Sequence, residues 1–314
     1  MTESAHTRIG WLDLPAEVRS RVEGVLGGGP VTEAVTQPGG FSPGTAARVR
    51  TSTGRRAFVK AVSPELNTRS AELARMEIHV SRSMLATAPV PRLLAAFDDG
   101  AWVVLVLADI EGAQPRTPWV EPEVDAALAA LTELAAAVTP TPVGGLPTTA
   151  QRLHDNFTRW AALAADPPAD LDPWLAERMP ELRCLSAATL EILATGDTLT
   201  HCDIRADNML VRADDGKVMI VDWPWGCVGP AWVDRLMLAV DVYVKGGDPA
   251  RVLEGIDPDA VTGFLAGMSG FFEYAHRQPP PPSIPTVREF QRRQAEALRP
   301  WLRARLCSTP RRRP

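Results

Sequence analysis

The feature that most constrains the fold is a change of texture near Gly112. Before it, short runs of β-branched and apolar residues alternate with glycine-bearing turns, the mark of strands. After it, long Ala- and Leu-rich stretches carry helical spacing. Residues 31–62 read as strands, punctuated first by Gly39, Gly40 and Gly44 and then by Thr53-Gly54. Residues 67–85 read as a helix that Pro89 and Pro91 end, and residues 93–97 and 102–107 as two more strands around Asp98-Asp99-Gly100. An opening helix is expected with Asp13 as its cap and Pro15 in its first turn. Further helices are expected over 121–138, 150–165 and 180–195, and again from about Trp232, Asp257 and Thr286. A strand-rich island over 208–223 interrupts them, with a hairpin signal at Asp214-Asp215-Gly216. Residues 279–282 read as an extended proline connector and Arg311 to Arg313 as a solvated tail. Strands first and helices later is an α+β plan; a doubly wound sheet would alternate the two.

Length and charge narrow the function classes. A chain of 314 residues suits two lobes sharing a cleft, and 45% hydrophobic residues allow a proper core. A net charge of −5 speaks against a nucleic-acid binder, which carries a basic face. The first 17 residues lack the apolar run of a signal peptide, and the longest strongly apolar run, 101–108, is too short to span a bilayer. A soluble, cytoplasmic protein is therefore expected, with no membrane partner. Cys184, Cys202, Cys227 and Cys307 show no paired metal spacing and read as buried or incidental thiols.

The strongest local signal is His201-Cys202-Asp203-Ile204-Arg205-Ala206-Asp207-Asn208 followed by an apolar strand. It fits the kinase catalytic-loop pattern H-x-D-x-x-x-x-N. Asp222-Trp223 then closes the apolar strand over 218–221. Phosphoryl transfer needs these residue types. One carboxylate must orient a substrate hydroxyl and accept its proton, which suits Asp203. A second carboxylate and an amide oxygen must hold Mg²⁺, a hard cation that prefers oxygen, which suits Asp222 and Asn208.

These residues resemble the aminoglycoside phosphotransferase and choline kinase-like family, relatives of the protein kinases. Asp222-Trp223 looks like the Asp-Trp or Asp-Phe dipeptide that stands in that family for Asp-Phe-Gly. Residues 222–236, with Gly229-Pro230 and Asp234, look like the pattern that follows it. The resemblance implies that Asp234 anchors the catalytic loop. It also implies a bilobal, protein-kinase-like fold, with an N-terminal lobe over 1–107, a hinge over 108–112 and a helical lobe over 113–314.

The upstream partners have signals of their own. Lys60 alternates along a strand with Ala57, Val59 and Ala61 on the other face, so it lies beside Phe58 and Val62. A lysine there needs a partner or a phosphate. Leu73, Met76, Val80 and Met84 form an apolar stripe on the next helix, and Glu77 falls inside it. Lys60 and Glu77 are thus the expected ion pair, matching the Lys–Glu pair of the kinase plan, in which the lysine holds ATP phosphates. The turn at 37–44 lies where a phosphate-covering loop would lie. Backbone groups near Gly40 and Ser42 are its expected contacts, although the turn is not G-x-G-x-x-G. Residues 107–112 resemble the hinge, with Ala108 and Ile110 as the backbone contacts to adenine.

Several readings stay open. Arg205 stands either beside the transferred phosphoryl group or in a loop-bracing pair with Asp207. Trp223, Trp225 and Trp232 either line a substrate cleft or pack against the loop. The expected activity is ATP- and Mg²⁺-dependent transfer to a hydroxyl of a small molecule, an aminoglycoside or another antibiotic. A choline-like, amino-alcohol or sugar acceptor, a protein substrate, and a nucleotide-binding pseudokinase are the rivals. Asp207, Asp234, Asp241 and Glu273 are the carboxylates available to a polycationic acceptor.

Overall fold

The fold is that of a computed structural model, described over residues 8–38, 43–281 and 286–308. The N-terminal lobe is a five-stranded antiparallel sheet clasped between two helices. In chain order it comprises α1 (Ala16–Val25), β1 (Val31–Thr36), β2 (Thr45–Thr51), β3 (Arg56–Val62), α2 (Thr68–Ser83), β4 (Leu93–Asp98) and β5 (Val103–Leu107). The strands lie in the order β1-β2-β3-β5-β4. Alternation along β3 divides the lobe's core in two. Ala57, Val59 and Ala61 face α1, joining Val18, Val22, Val104 and Val106. Phe58 and Val62 face α2, joining Ala71, Ile78, Leu105 and Leu107. Lys60, between them on the same face, points under the sheet.

The entry to α1 differs from expectation. Asp13 does not cap it. Asp13 closes a short 3₁₀ turn, its carboxylate accepting the Gly10 N–H at 2.7 Å, and Pro15 takes the cap position without a side-chain bond. The fixed φ of proline suits a helix entry, so the chain turns one step later than the Asp13 signal suggested. Asn67 does cap α2, its side-chain oxygen accepting the Ser70 N–H at 2.8 Å.

Beyond the lobe, β6 (Gly112–Ala113) enters a small sheet in the order β6-β8-β9, with β8 (Met209–Arg212) and β9 (Val218–Ile220). A second pairing joins β7 (Thr198–Thr200) to β10 (Cys227–Gly229). The rest is helical: α3 (Glu121–Ala137), α4 (Thr149–Phe157), α5 (Arg159–Ala165), α6 (Pro173–Leu193), α7 (Val233–Val244), α8 (Pro258–Ala275) and α9 (Val287–Ser308). Two expectations are corrected. The helix over 150–165 is broken at Thr158, whose hydroxyl bonds back to the His154 carbonyl at 2.9 Å and competes with the helical ladder. The helix expected from Pro180 starts at Pro173, because Asp172 caps the N–H groups of Trp174 and Leu175; Pro180 lies inside it. The bilobal α+β plan stands. Among the described residues no helix is long and apolar enough to cross a membrane.

The helical lobe closes around α8, where Gly263, Gly267 and Gly270 recur at three- and four-residue spacing. A Cβ at Gly267 would run into the Phe157 ring, and one at Gly270 would lie 2.6 Å from the Trp160 indole nitrogen. The glycines therefore let α4 and α5 press directly on the α8 backbone. Trp160 is fully buried and donates its indole N–H to the Ala266 carbonyl at 2.7 Å. Gly267→Ala tests this packing by its sign. Helix propensity alone favours alanine by up to about 1 kcal/mol. Overpacking costs roughly 1–3 kcal/mol. We expect a net loss in urea unfolding; a gain would refute the close approach.

Candidate active site

Three elements converge on one ammonium. Lys60 sits in β3 opposite Ala46 of β2 and Leu105 of β5. Its Nζ lies 2.8 Å from both carboxylate oxygens of Glu77 on α2 and 2.6 Å from Asp222, which follows β9. Glu77 is buried, with 5% of its side chain exposed, whereas Asp222 keeps 44% open. Burial alone would lower the Lys60 pKa, but the Asp222 and Glu77 carboxylates outweigh it and hold the ammonium charged. Burial likewise opposes ionisation of Asp222, and Lys60 more than compensates, so that carboxyl lies below its usual range. Asp222 adopts φ +70°, a left-handed conformation costly for a residue with a Cβ. The preceding peptide is pinned, the Val221 N–H donating to the Asn208 carbonyl at 2.9 Å.

The loop between β7 and β8 carries the second group. His201 is fully buried. Its Nε2 donates to the Val221 carbonyl at 2.9 Å, and its Nδ1 accepts the Asp203 N–H at 3.2 Å. Both partners fit the neutral ring, and burial lowers its pKa to about 4. His201 is thus a brace and not a base. Its ring meets Trp223 edge-on, the centroids 4.7 Å apart. Asp234 accepts the N–H groups of His201 and Cys202 at 2.8 and 2.9 Å, which holds Cys202 at φ +63°. Burial raises the Asp234 carboxyl to about 6. Asp241 accepts the Ala206 N–H at 3.0 Å and the Trp119 indole N–H at 2.9 Å, and pairs with Lys245.

On this frame Asp203 receives the Arg205 Nη1 at 2.9 Å and the Asn208 Nδ2 at 3.1 Å. Burial raises its carboxyl to about 7, against the pull of Arg205 and with the nearby Asp222 charge adding to the rise. Arg205 also grips Asp207 through Nε and Nη2, both at 2.9 Å. That is the loop-bracing geometry of the two readings left open. The Asn208 amide nitrogen is committed to Asp203, its carbonyl at 2.8 Å included, so the amide oxygen is the atom left to ligate a metal. Asn208 and Asp222 thus supply oxygen donors only, a set that fits Mg²⁺. Among the described residues no group of three or more His, Cys, Asp or Glu side chains could form a metal cage.

After β5 the chain runs on as the connector that joins the two lobes. The Ala108 N–H is spent on the Arg92 carbonyl at 2.8 Å, so Ala108 offers a base only its own carbonyl. Ile110 makes no backbone hydrogen bond among the described residues. Gly40 and Ser42 lie outside the described residues, as do Pro282 and the tail. The sequence reading missed Arg48 and Asp109. Arg48 lies opposite Phe58 on the Lys60 face and binds the buried Asp109 carboxylate at 2.7 and 3.0 Å. Arg56 joins them from β3 at 2.6 Å. The basic residues at alternate positions of β2 and β3 were the available signal. Trp223 is buried; Trp225 is half-buried, with Arg69 and Arg152 within 5.7 Å of its ring. Of the carboxylates offered to an acceptor, Asp234 and Asp241 hold the loop. Glu273 is buried between Arg277 and Arg299 at 2.8 Å each.

Comparison with known proteins agrees with this fold. Residues 37–257 match the model of the phosphotransferase enzyme family, APH, and the chain belongs to that family. Among curated proteins none is similar enough to match. Among solved structures, a thermostable mutant of aminoglycoside phosphotransferase APH(4)-Ia, in ternary complex with ADP and hygromycin B, aligns with a TM-score of 0.60 at 14% identity, over 93% of this chain and 99% of that one. The GDP and kanamycin complex of APH(2")-IIia aligns with a TM-score of 0.60 at 13% identity, over 94% and 100%. Choline kinase LicA from Streptococcus pneumoniae gives 0.58 at 14%, over 90% and 98%. At these identities the likeness is one of fold, and the fold is kinase-like.

The Asp234 clamp has a measurable consequence. Asp234→Ala leaves two buried N–H groups unpaired, at roughly 1–3 kcal/mol each. The denaturation midpoint should fall clearly; an unchanged midpoint would show that water replaces the carboxylate.

Proposed function

We propose that this chain transfers the γ-phosphate of ATP to a hydroxyl of a small molecule. The observation that carries the reading is the Lys60 ammonium, shared by Glu77 and Asp222 and electrostatically linked through Asp222 to Asp203. The connector at 108–112 serves as the hinge between an N-terminal lobe over 1–107 and a helical lobe over 113–314, and Ile110 with the Ala108 carbonyl receives the base. Lys60, oriented by Glu77, holds phosphate oxygens. Asn208 and Asp222 hold Mg²⁺, which when bound neutralises phosphate charge and steadies the leaving group. Asp203 orients the acceptor hydroxyl and takes its proton. Arg205 acts as a positioning residue, keeping Asp203 and Asp207 in register.

For the acceptor, the aminoglycoside and other antibiotic chemistry named for the structural relatives is the first class to test. A choline-like, amino-alcohol or sugar acceptor is the second reading. One observation favours it: Asp234, Asp241 and Glu273 are committed to the fold and leave few carboxylates for a polycation. A protein substrate fits less well, because only residues 223–232 separate Asp222 from α7.

The test is ADP release with Mg-ATP across aminoglycosides, other antibiotics, amino alcohols and sugars. A hit should disappear with chelator and should fall roughly 10²- to 10⁴-fold in Asp203→Ala. Because burial raises Asp203 and only its ionised form accepts a proton, kcat/KM should drop as pH falls below about 7. A rate indifferent to Asp203→Ala, or one that rises as pH falls through that range, would sink the assignment.

A further inference from the structure

Helix α2 serves two cores. Ala71 and Ile78 pack under the sheet, whereas Val80 belongs to the core of the helical lobe with Leu199, Trp223 and Cys227. Two hydrogen bonds tie the same stretch to that lobe. The His79 Nε2 donates to the Gly144 carbonyl at 2.8 Å, and the Ile220 N–H donates to the Pro89 carbonyl at 2.8 Å. The helix that carries Glu77 is thus seated on the lobe that carries Asp222.

The seat is Gly226, four residues after Asp222. Its φ is not left-handed, so the backbone conformation does not call for glycine. The space does. A Cβ there would stand 2.8 Å from Val80 Cγ2, where ordinary contact begins at 3.4 Å. Val80 has little freedom to yield. It is fully buried, and a β-branched side chain in a helix keeps one strongly preferred rotamer. The helix would have to give way instead. Val80 lies three residues past Glu77, its neighbour on the helix surface, so a shift at Val80 carries Glu77 with it.

We propose that Gly226 is a positioning residue for the Lys60 site. Lacking a side chain, it lets the segment after Asp222 lie flush against α2. Glu77 and Asp222 can then reach one ammonium together, at 2.8 and 2.6 Å. Any effect on rate rests on the phosphotransfer reading; the effect on Lys60 itself does not.

Acetylation of the full chain by an amine-reactive ester, read peptide by peptide in a mass spectrometer, tests the proposal without turnover. Only the neutral amine reacts, and Lys217, exposed on the β8–β9 turn, is the internal reference. In Gly226→Ala, Lys60 should be labelled roughly tenfold faster, as a loss of about one pKa unit from the ammonium implies. Val80→Ile, which crowds the same junction from α2, should act in the same direction. Adding Val80→Ala to Gly226→Ala restores the space and should return Lys60 toward the wild-type rate. Gly267→Ala, overpacked far from α2, should leave Lys60 unchanged. Once an acceptor is known, kcat/KM should fall in Gly226→Ala, by up to roughly 10²-fold, and recover in the double variant. Lys60 labelling that neither Gly226→Ala nor Val80→Ile changes overturns the proposal. So does a rise that Gly267→Ala shares, or one that Val80→Ala fails to reverse.

Discussion

One ammonium between two carboxylates ties the lobes together. Lys60, Glu77 and Asp222 come from a strand, a helix and the segment after β9, and none sits comfortably without the other two. A buried charge stripped of its partner costs several kcal/mol, so α2 must present Glu77 under the sheet and the helical lobe must bring up Asp222. Much of the N-terminal lobe meets that demand. Both faces of the sheet are buried, one by α1 and one by α2, so strand register decides which side chains reach the cleft. A one-residue slip of β3 would send Lys60 into the α1 core. The left-handed φ of Asp222 is strain accepted at the same point.

The loop between β7 and β8 follows a different rule, that buried backbone donors must be paired. Its N–H groups have no continuous ladder to use. The His201 and Cys202 donors go to Asp234, Asp203 to the His201 ring, and Ala206 to Asp241. Acidic side chains on one helix, α7, thereby stand in for a strand partner and tie the loop to that helix. Asn208 completes the arrangement by spending its amide nitrogen inside the loop. The packing that holds the loop also raises the Asp203 carboxyl by partial desolvation, 27% of its side chain remaining exposed.

Much of this was legible in the chain. Alternation around Lys60 and the apolar stripe around Glu77 gave both partners of the ion pair, because strand and helix periods are local. The spacing from His201 to Asn208 gave the loop for the same reason. What escaped depends on contacts distant in sequence. Arg48 and Asp109 are 61 residues apart and meet only because Phe58 of β3 stands opposite both Arg48 of β2 and Leu107 at the end of β5. The short pairing of β7 with β10 is three residues long and carries no period of its own. At Asp13 and Pro180 a local signal was outweighed by a neighbouring one, the fixed φ of Pro15 and the Asp172-Pro173 cap.

The acceptor carboxylates show where local reading stops and where it could have gone further. Asp234, Asp241 and Glu273 look alike in sequence whether they serve the fold or a ligand; only the partner distinguishes them. For two of the three, part of that partner was in reach. Asp241 pairs with Lys245 and Glu273 with Arg277, each at i+4 on its helix, a spacing that marks an acid as already engaged. The rest lay far along the chain: Trp119 for Asp241, Arg299 for Glu273 and the loop backbone for Asp234. A cationic acceptor must be recognised by carboxylates that these structural partners leave free. In the loop between β7 and β8 even Asp207 is held, by Arg205, yet its side chain remains 44% exposed. Its bonds to Arg205 can be exchanged for bonds to a ligand at lower cost than those of the three buried acids, which makes Asp207 the carboxylate in the loop least bound to the fold.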